Sequence, residues 1–165
     1  SFIDLIKYIR KFSDIPLGIQ ICHAGNKGSS HIPWKKFNSS LSKKEGGWIT
    51  YAPSSIKRDK SWPIPIKLNL KKIYKIKKDF VNSAQLAKQS GFDLLEVHMG
   101  HGYLLHQFFS PISNKRTDEY GGNLIKRSRF LLEIAKDIRK CWPKEKILGA
   151  RVTADDCLKK RNNNG

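Results

Sequence analysis

An α/β fold built on a parallel sheet is predicted by three features of the sequence. Helical and strand patterns alternate along the chain. Each strand pattern is a short apolar run closed by a turn signal, and the segments between runs are long enough to carry crossover helices. The order read from the N-terminus is helix, strand, helix, strand, helix, strand, and a parallel sheet requires each crossover to be right-handed.

Residues 1–13 (SFIDLIKYIRKFS) place Phe2, Ile3, Leu5, Ile6 and Ile9 on one helical face. Ile15 to Cys22 (IPLGIQIC) follows Ser13-Asp14 and reads as a strand buried on both faces. Periodicity is then lost. Residues 23–69 hold Gly25, Gly28, Pro33, Gly46, Gly47 and Pro53 among many Ser and Lys residues, so they read as one long loop, a kind that in a compact domain is usually functional or disordered. A helix is expected over Leu70–Ser90, with Asn69 as its cap and Ile73, Ile76, Phe80, Ala84 and Ala87 on its buried face. Gly91 closes it, and Leu94 to His98 (LLEVH) is the second strand. A Gly-rich polar segment runs to Gly122. Leu124, Arg127, Leu131, Ile134 and Ile138 then mark a helix stopped by Trp142-Pro143, and Ile147 to Val152 (ILGARV) is the third strand. The tail 157–165, ending Arg-Asn-Asn-Asn-Gly, is expected to be disordered. Three parallel strands leave both sheet edges open, whereas a closed barrel of this type takes eight strands and about 250 residues.

At 165 residues the chain has the length of a single domain, and it reads as one from end to end. No run approaches the roughly 18 apolar residues of a membrane span, and the first residues lack the apolar block of a signal peptide. Cys22, Cys141 and Cys157 are odd in number and show no CxxC, which speaks against a disulfide framework or a zinc finger and for a reducing, cytoplasmic setting. The formal net charge of +18 raises nucleic acid as a partner. Lysine is nevertheless scattered through every segment instead of being gathered into an Arg-rich stripe with aromatic partners, so nucleic acid is not the expected ligand.

The densest polar cluster follows the second strand: His98-Met-Gly-His101-Gly-Tyr103-Leu-Leu-His106-Gln107. His98 and His101 can present two imidazole donors to one oxygen, and Tyr103 a phenol able to give up a proton. Close-spaced histidines also suit zinc, but no carboxylate or thiol completes such a site in sequence. They also suit a hydrogen-bonded core pair. Glu96, between Leu95 and Val97, faces away from its neighbours and is read as a paired structural carboxylate. Cys22-His23 is disfavoured as a nucleophile and base because adjacent strand residues point to opposite faces. Gln20 and Arg151 each stand near a strand end, where an amide and a guanidinium can read a polar ring edge.

The words Gln20-Ile-Cys-His-Ala-Gly25, His31-Ile-Pro-Trp34, Gly47-Trp48, Ala52-Pro-Ser-Ser-Ile56, Gly91-Phe-Asp-Leu-Leu-Glu-Val-His98 and Ser110-Pro-Ile-Ser-Asn-Lys-Arg-Thr-Asp-Glu-Tyr-Gly-Gly122 resemble the Old Yellow Enzyme family, in its bacterial NADPH dehydrogenase and xenobiotic-reductase branch. The resemblance runs from about residue 1 to Asp156. It implies an FMN-dependent oxidoreductase on a TIM (β/α)8 barrel, of which this chain would be a partial barrel of about three strands. The implied reaction is reduction of an activated C=C bond, in enones or nitroalkenes, with NADPH or NADH as reductant. By position, the resemblance implies that His98 and His101 bind the substrate's carbonyl or nitro oxygen. It makes Tyr103 the proton donor, and places Gln20 and Arg151 at the pyrimidine edge of FMN.

Asn26 stands where relatives commonly have Arg, and Met99-Gly100 replaces a pair of small residues. The expectation is a chain cut from a longer one, binding FMN weakly or not at all unless self-association into a homo-oligomer replaces the other strands. The alternative is a non-catalytic basic remnant that binds acidic partners such as nucleic acid.

Overall fold

The computed structural model describes residues 1–36, 38–154 and 156. The tail 157–165, Cys157 included, lies outside the described residues. Helix α1 (Phe2–Ile9) opens the chain, closed at its start by a capping box between Ser1 and Asp4. Strand β1 (Gly18–Ile21) follows, and after a long excursion come α2 (Leu70–Ser90), the strand Leu94–Met99, the helix Leu124–Cys141 and the strand Ile147–Val152.

The excursion over 23–69 is threaded by two single 3-10 turns, Gly25–Lys27 and Lys43–Glu45, and by a parallel pair, β2 (Tyr51–Ala52) with β3 (Ile66–Lys67). Its two-residue strands are too short to leave an alternation in the sequence. The strand Leu94–Met99 is therefore β4, and Ile147–Val152 is β5. A six-residue helix, α3 (Leu104–Phe109), interrupts the segment read as irregular, and the long helix after it is α4. Five of the six α3 residues are buried, so LLHQFF carries no amphipathic stripe.

β4 is the centre of a three-stranded parallel sheet of order β1-β4-β5. The registers pair Gln20 with Glu96 and His98 with Arg151. One face of the sheet meets the helices. Leu95, Val97 and Met99 project from β4 into a core with Ile73, Ile76, Phe80, Ala84 and Ala87 of α2 and Phe130, Leu131, Ile134 and Ile138 of α4. The α2 face is the one its spacing predicts. Asn69 accepts from Lys72 N at 2.9 Å, and Gly91 ends the helix at φ +95°, a left-handed conformation that a side chain would strain.

The reading of Ile15–Cys22 as a strand buried on both faces is corrected. β1 begins only at Gly18, since Pro16 has no N–H for the ladder, and exposed Gly18, Gln20 and Cys22 alternate with half-buried Ile19 and Ile21. β1 is an edge strand covered on one side only. β5 is the other edge and is likewise largely exposed.

Two polar hubs fix the sheet in its frame. Asp93 accepts from Leu17 N at 2.9 Å and pairs with Arg10 and, at 3.9 Å, Lys146, drawing together the starts of all three strands. Arg116, 3% exposed, donates to the carbonyls of Pro53 at 2.9 Å and Leu68 at 2.6 Å and pairs with Asp118, while Asn114 donates to the carbonyls of Phe108 and Tyr120. The Ser110–Gly122 word thus packs the excursion against α3. Arg116→Met strands two buried carbonyls, and the expected loss is roughly 2–4 kcal/mol, read as a lower urea midpoint at unchanged slope.

Candidate functional site

The face of the sheet turned away from the helices carries the polar side chains. Side chains alternate along a strand, so burying Leu95, Val97 and Met99 commits Leu94, Glu96 and His98 to the opposite face. The parallel register adds Gln20 and Cys22 from β1 and Arg151 from β5 to that face. Around Gly149, opposite Glu96, nothing stands within 4 Å of where a Cβ would be, so the β5 side of the face is open.

His98 is buried at 3% exposure. Its Nδ1 accepts from Gly100 N at 3.3 Å, which leaves the proton of the neutral ring on Nε2. That Nε2 lies 3.2 Å from His101 Nδ1, so His98 donates to His101, and His101 in turn carries its proton on the outward Nε2. The two rings meet edge to face at 4.9 Å, and Tyr103 packs edge-on against His98 at 5.1 Å. The three residues singled out after the second strand are therefore one contiguous cluster. Burial, with His101 and Arg151 beside it, pushes the His98 imidazole below its ordinary value, which favours the neutral relay.

Positioning comes from residues that the spacing does not single out. His101 holds φ +53°, an uncommon conformation for a residue with a side chain. Its N–H donates to Thr153 Oγ1 at 2.9 Å, and its carbonyl accepts from Lys27 Nζ. Gly102 N donates to His106 Nδ1 at 2.8 Å, and His106 Nε2 faces Asp156 Oδ1 at 3.3 Å. Gln107, buried at the heart of α3, donates to Gly102 O at 2.7 Å and to Asn26 Oδ1 at 2.8 Å. Gly25, at φ +61°, lets the backbone pass so close to the Gln107 amide that a Cβ would stand 2.5 Å from it. Lys27 spans the same gap, its ammonium 5.6 Å from the centre of the Tyr103 ring. His106 and Gln107 were visible in the polar cluster, but nothing in the spacing tied Lys27, Thr153 or Asp156 to it.

The remaining candidates divide. Gln20 donates to Glu96, making Glu96 a paired carboxylate. Arg151, exposed, has no carboxylate partner among the described residues. Cys22 is an exposed free thiol, while His23 spends Nδ1 on Gly25 N at 3.0 Å, and no hydrogen bond joins the two. Among the described residues, no three His, Cys, Asp or Glu side chains converge as a metal site requires, and no helix is long and apolar enough to cross a membrane.

The His98 shift has a consequence for stability. A histidine with a lowered folded-state value adds stability that is full above the unfolded value of about 6.5 and is lost as pH falls through the folded value. In an NMR titration, the His98 ring is expected to protonate below the ordinary histidine range, and Arg151→Gln should move its midpoint upward.

A family model described as NADH:flavin oxidoreductase / NADH oxidase matches residues 1–164. The chain is similar to an NADH:flavin oxidoreductase of Gibberella zeae, 44% identical over 143 residues that make up 85% of this chain and 35% of that protein. It is similar to the NADPH dehydrogenase of Bacillus subtilis, 39% identical over 140 residues, 85% of this chain and 36% of the other. Among solved structures, Old Yellow Enzyme from Pichia sp. AKU4542 superposes with a TM-score of 0.75 at 29% identity, covering 92% of this chain and 38% of that one. The chain thus spans little more than a third of the length of these relatives.

Proposed function

This chain belongs to the NADH:flavin oxidoreductase / NADH oxidase family, that of Old Yellow Enzyme, and we propose that it forms the substrate-binding part of an FMN-dependent NAD(P)H oxidoreductase that reduces activated C=C bonds. The observation that carries the proposal is the cluster in which His98 Nε2 and His101 Nδ1 lie 3.2 Å apart and Tyr103 packs edge-on against His98.

The open sheet face suits a flavin. Gln20 and Arg151 stand on that face with N–H donors, open space lies around Gly149, and the Arg151 charge has no carboxylate partner among the described residues. Arg151 and the Gln20 amide would hold the ring's electron-rich edge, Gln20 turning from Glu96 to do so. FMN held there would, when reduced, supply the hydride.

The chain's own residues do the rest. An incoming carbonyl or nitro oxygen takes the N–H of His98 Nε2 from His101 and receives a second from His101 Nε2 once that ring turns inward. Two N–H donors aimed at one oxygen draw electrons from the alkene and stabilise the enolate charge as it develops. Tyr103, at the mouth of the same cluster and fixed as the cap residue of α3, delivers the proton to the α-carbon. The NADPH dehydrogenase name of the Bacillus relative supports a nicotinamide reductant.

The test is NADPH oxidation by the purified chain supplied with FMN and a simple enone. Tyr103→Phe is expected to lower kcat by about 10²–10³ with KM nearly unchanged, whereas His98→Ala lowers kcat and raises KM together. Equal rates for Tyr103→Phe and the unaltered chain would refute the role given to Tyr103. Bound flavin without any turnover would refute the activity.

A further inference from the structure

Five of the nine lysines and arginines in the excursion over 23–69 line adjoining cavities. A cavity of about 240 Å³ runs from Tyr103 past Lys27, Arg58 and Trp62. A second, of about 230 Å³, lies across Lys27 and Arg58 and adds Lys57. A third, of about 550 Å³, shares Trp62 with the first and Lys57 with the second, and brings Lys43, Lys60 and Trp48. Among the described residues, none of these lysines nor Arg58 forms an ion pair. The carboxylates nearby are engaged otherwise: Asp156 by Ser110 at 2.7 Å and His106 at 3.3 Å, Glu45 by Ser42 at 2.6 Å, and Asp59, next to Arg58 in the chain, by Lys60 N at 2.5 Å.

Lys27 and Arg58 are the informative pair. The Lys27 ammonium is held below its ordinary range by burial and by the charge of Arg58, and among the described residues neither cation forms an ion pair. Arg58 is kept there by its stack on Trp62, 4.4 Å from the ring, and Trp62 is fixed by an indole bond to Asn38 O at 3.1 Å and is 2% exposed. No protein acceptor among the described residues takes the Arg58 N–H groups. A cation pair built on a buried aromatic, with more lysines leading away, suits a group with several charged oxygens that can accept from a guanidinium and an ammonium together.

We infer that this groove binds the phosphate of an anionic ligand, with Lys27 and Arg58 as anchors and the ligand's reacting end at Tyr103. The inference deepens the proposed function and rests on it only for the role of Tyr103. Two sources share the chemistry: the phosphates of the nicotinamide reductant, and a substrate that carries its own phosphate handle.

The test is titration of the ¹⁵N-labelled chain, following the indole N–H resonances of its four tryptophans, with NADPH, coenzyme A and uncharged adenosine. NADPH or coenzyme A should shift Trp62 and leave buried Trp142 unmoved, with affinity falling as salt rises. K27Q and R58Q should each weaken binding about tenfold, while K140Q, on a distant helix, leaves it unchanged. The Trp142 resonance reports that each variant is folded, and Lys57→Gln, on the exposed rim, should weaken binding less than either anchor. Tighter NADPH assigns the groove to the reductant, and tighter coenzyme A to a phosphate-bearing substrate. An equal shift by adenosine, no shift of Trp62, or wild-type binding by both K27Q and R58Q overturns the inference. The readout needs neither flavin nor turnover, so it stands or falls apart from the proposed reaction.

Discussion

Burial of one face of β4 against the helices is the constraint from which the rest of the molecule follows. Leu95, Val97 and Met99 are almost wholly out of water. A strand has only two faces, so this burial leaves no freedom in where Glu96 and His98 go. The registers to β1 and β5 then carry the same choice across the sheet and bring Gln20 and Arg151 to the side of His98. A one-residue slip would send the polar set into the core.

The loop after β4 depends on a second, polar constraint. Residues 100–103 turn sharply from β4 into α3 and include left-handed backbone at His101 and Gly102. Such a turn holds only where its backbone groups are tied down, and here Thr153, Lys27, His106 and Gln107 do so from three separate stretches of chain. Through Lys27 the same bonds connect the cation-rich excursion to the loop that presents His101 and Tyr103.

The basic charge looks uniform in sequence, yet the fold treats it unevenly. Lys75 and Lys77 of α2 and Lys140 of α4 meet acidic partners in Asp79, Glu133 and Asp137, whereas among the described residues the cations around Arg58 form no ion pair. What sets those cations apart is that they line adjoining cavities beside the buried Trp62.

The amino-acid sequence by itself determined the alternation of helix and strand, the buried face of α2 residue by residue, the caps at Asn69 and Gly91, and the cluster His98, His101 and Tyr103. These are local: they rest on spacing, on turn chemistry and on words that need no distant partner. The family was legible for the same reason, since its long words are contiguous. Only the tertiary structure decided that β1 is a half-exposed edge, that Leu104–Phe109 is a helix, and that Lys27, Thr153, Gln107 and Asp156 hold the loop. Each of these depends on contacts between residues far apart in the chain, and a buried six-residue helix or a strand covered on one side leaves no periodic mark by which sequence could announce it.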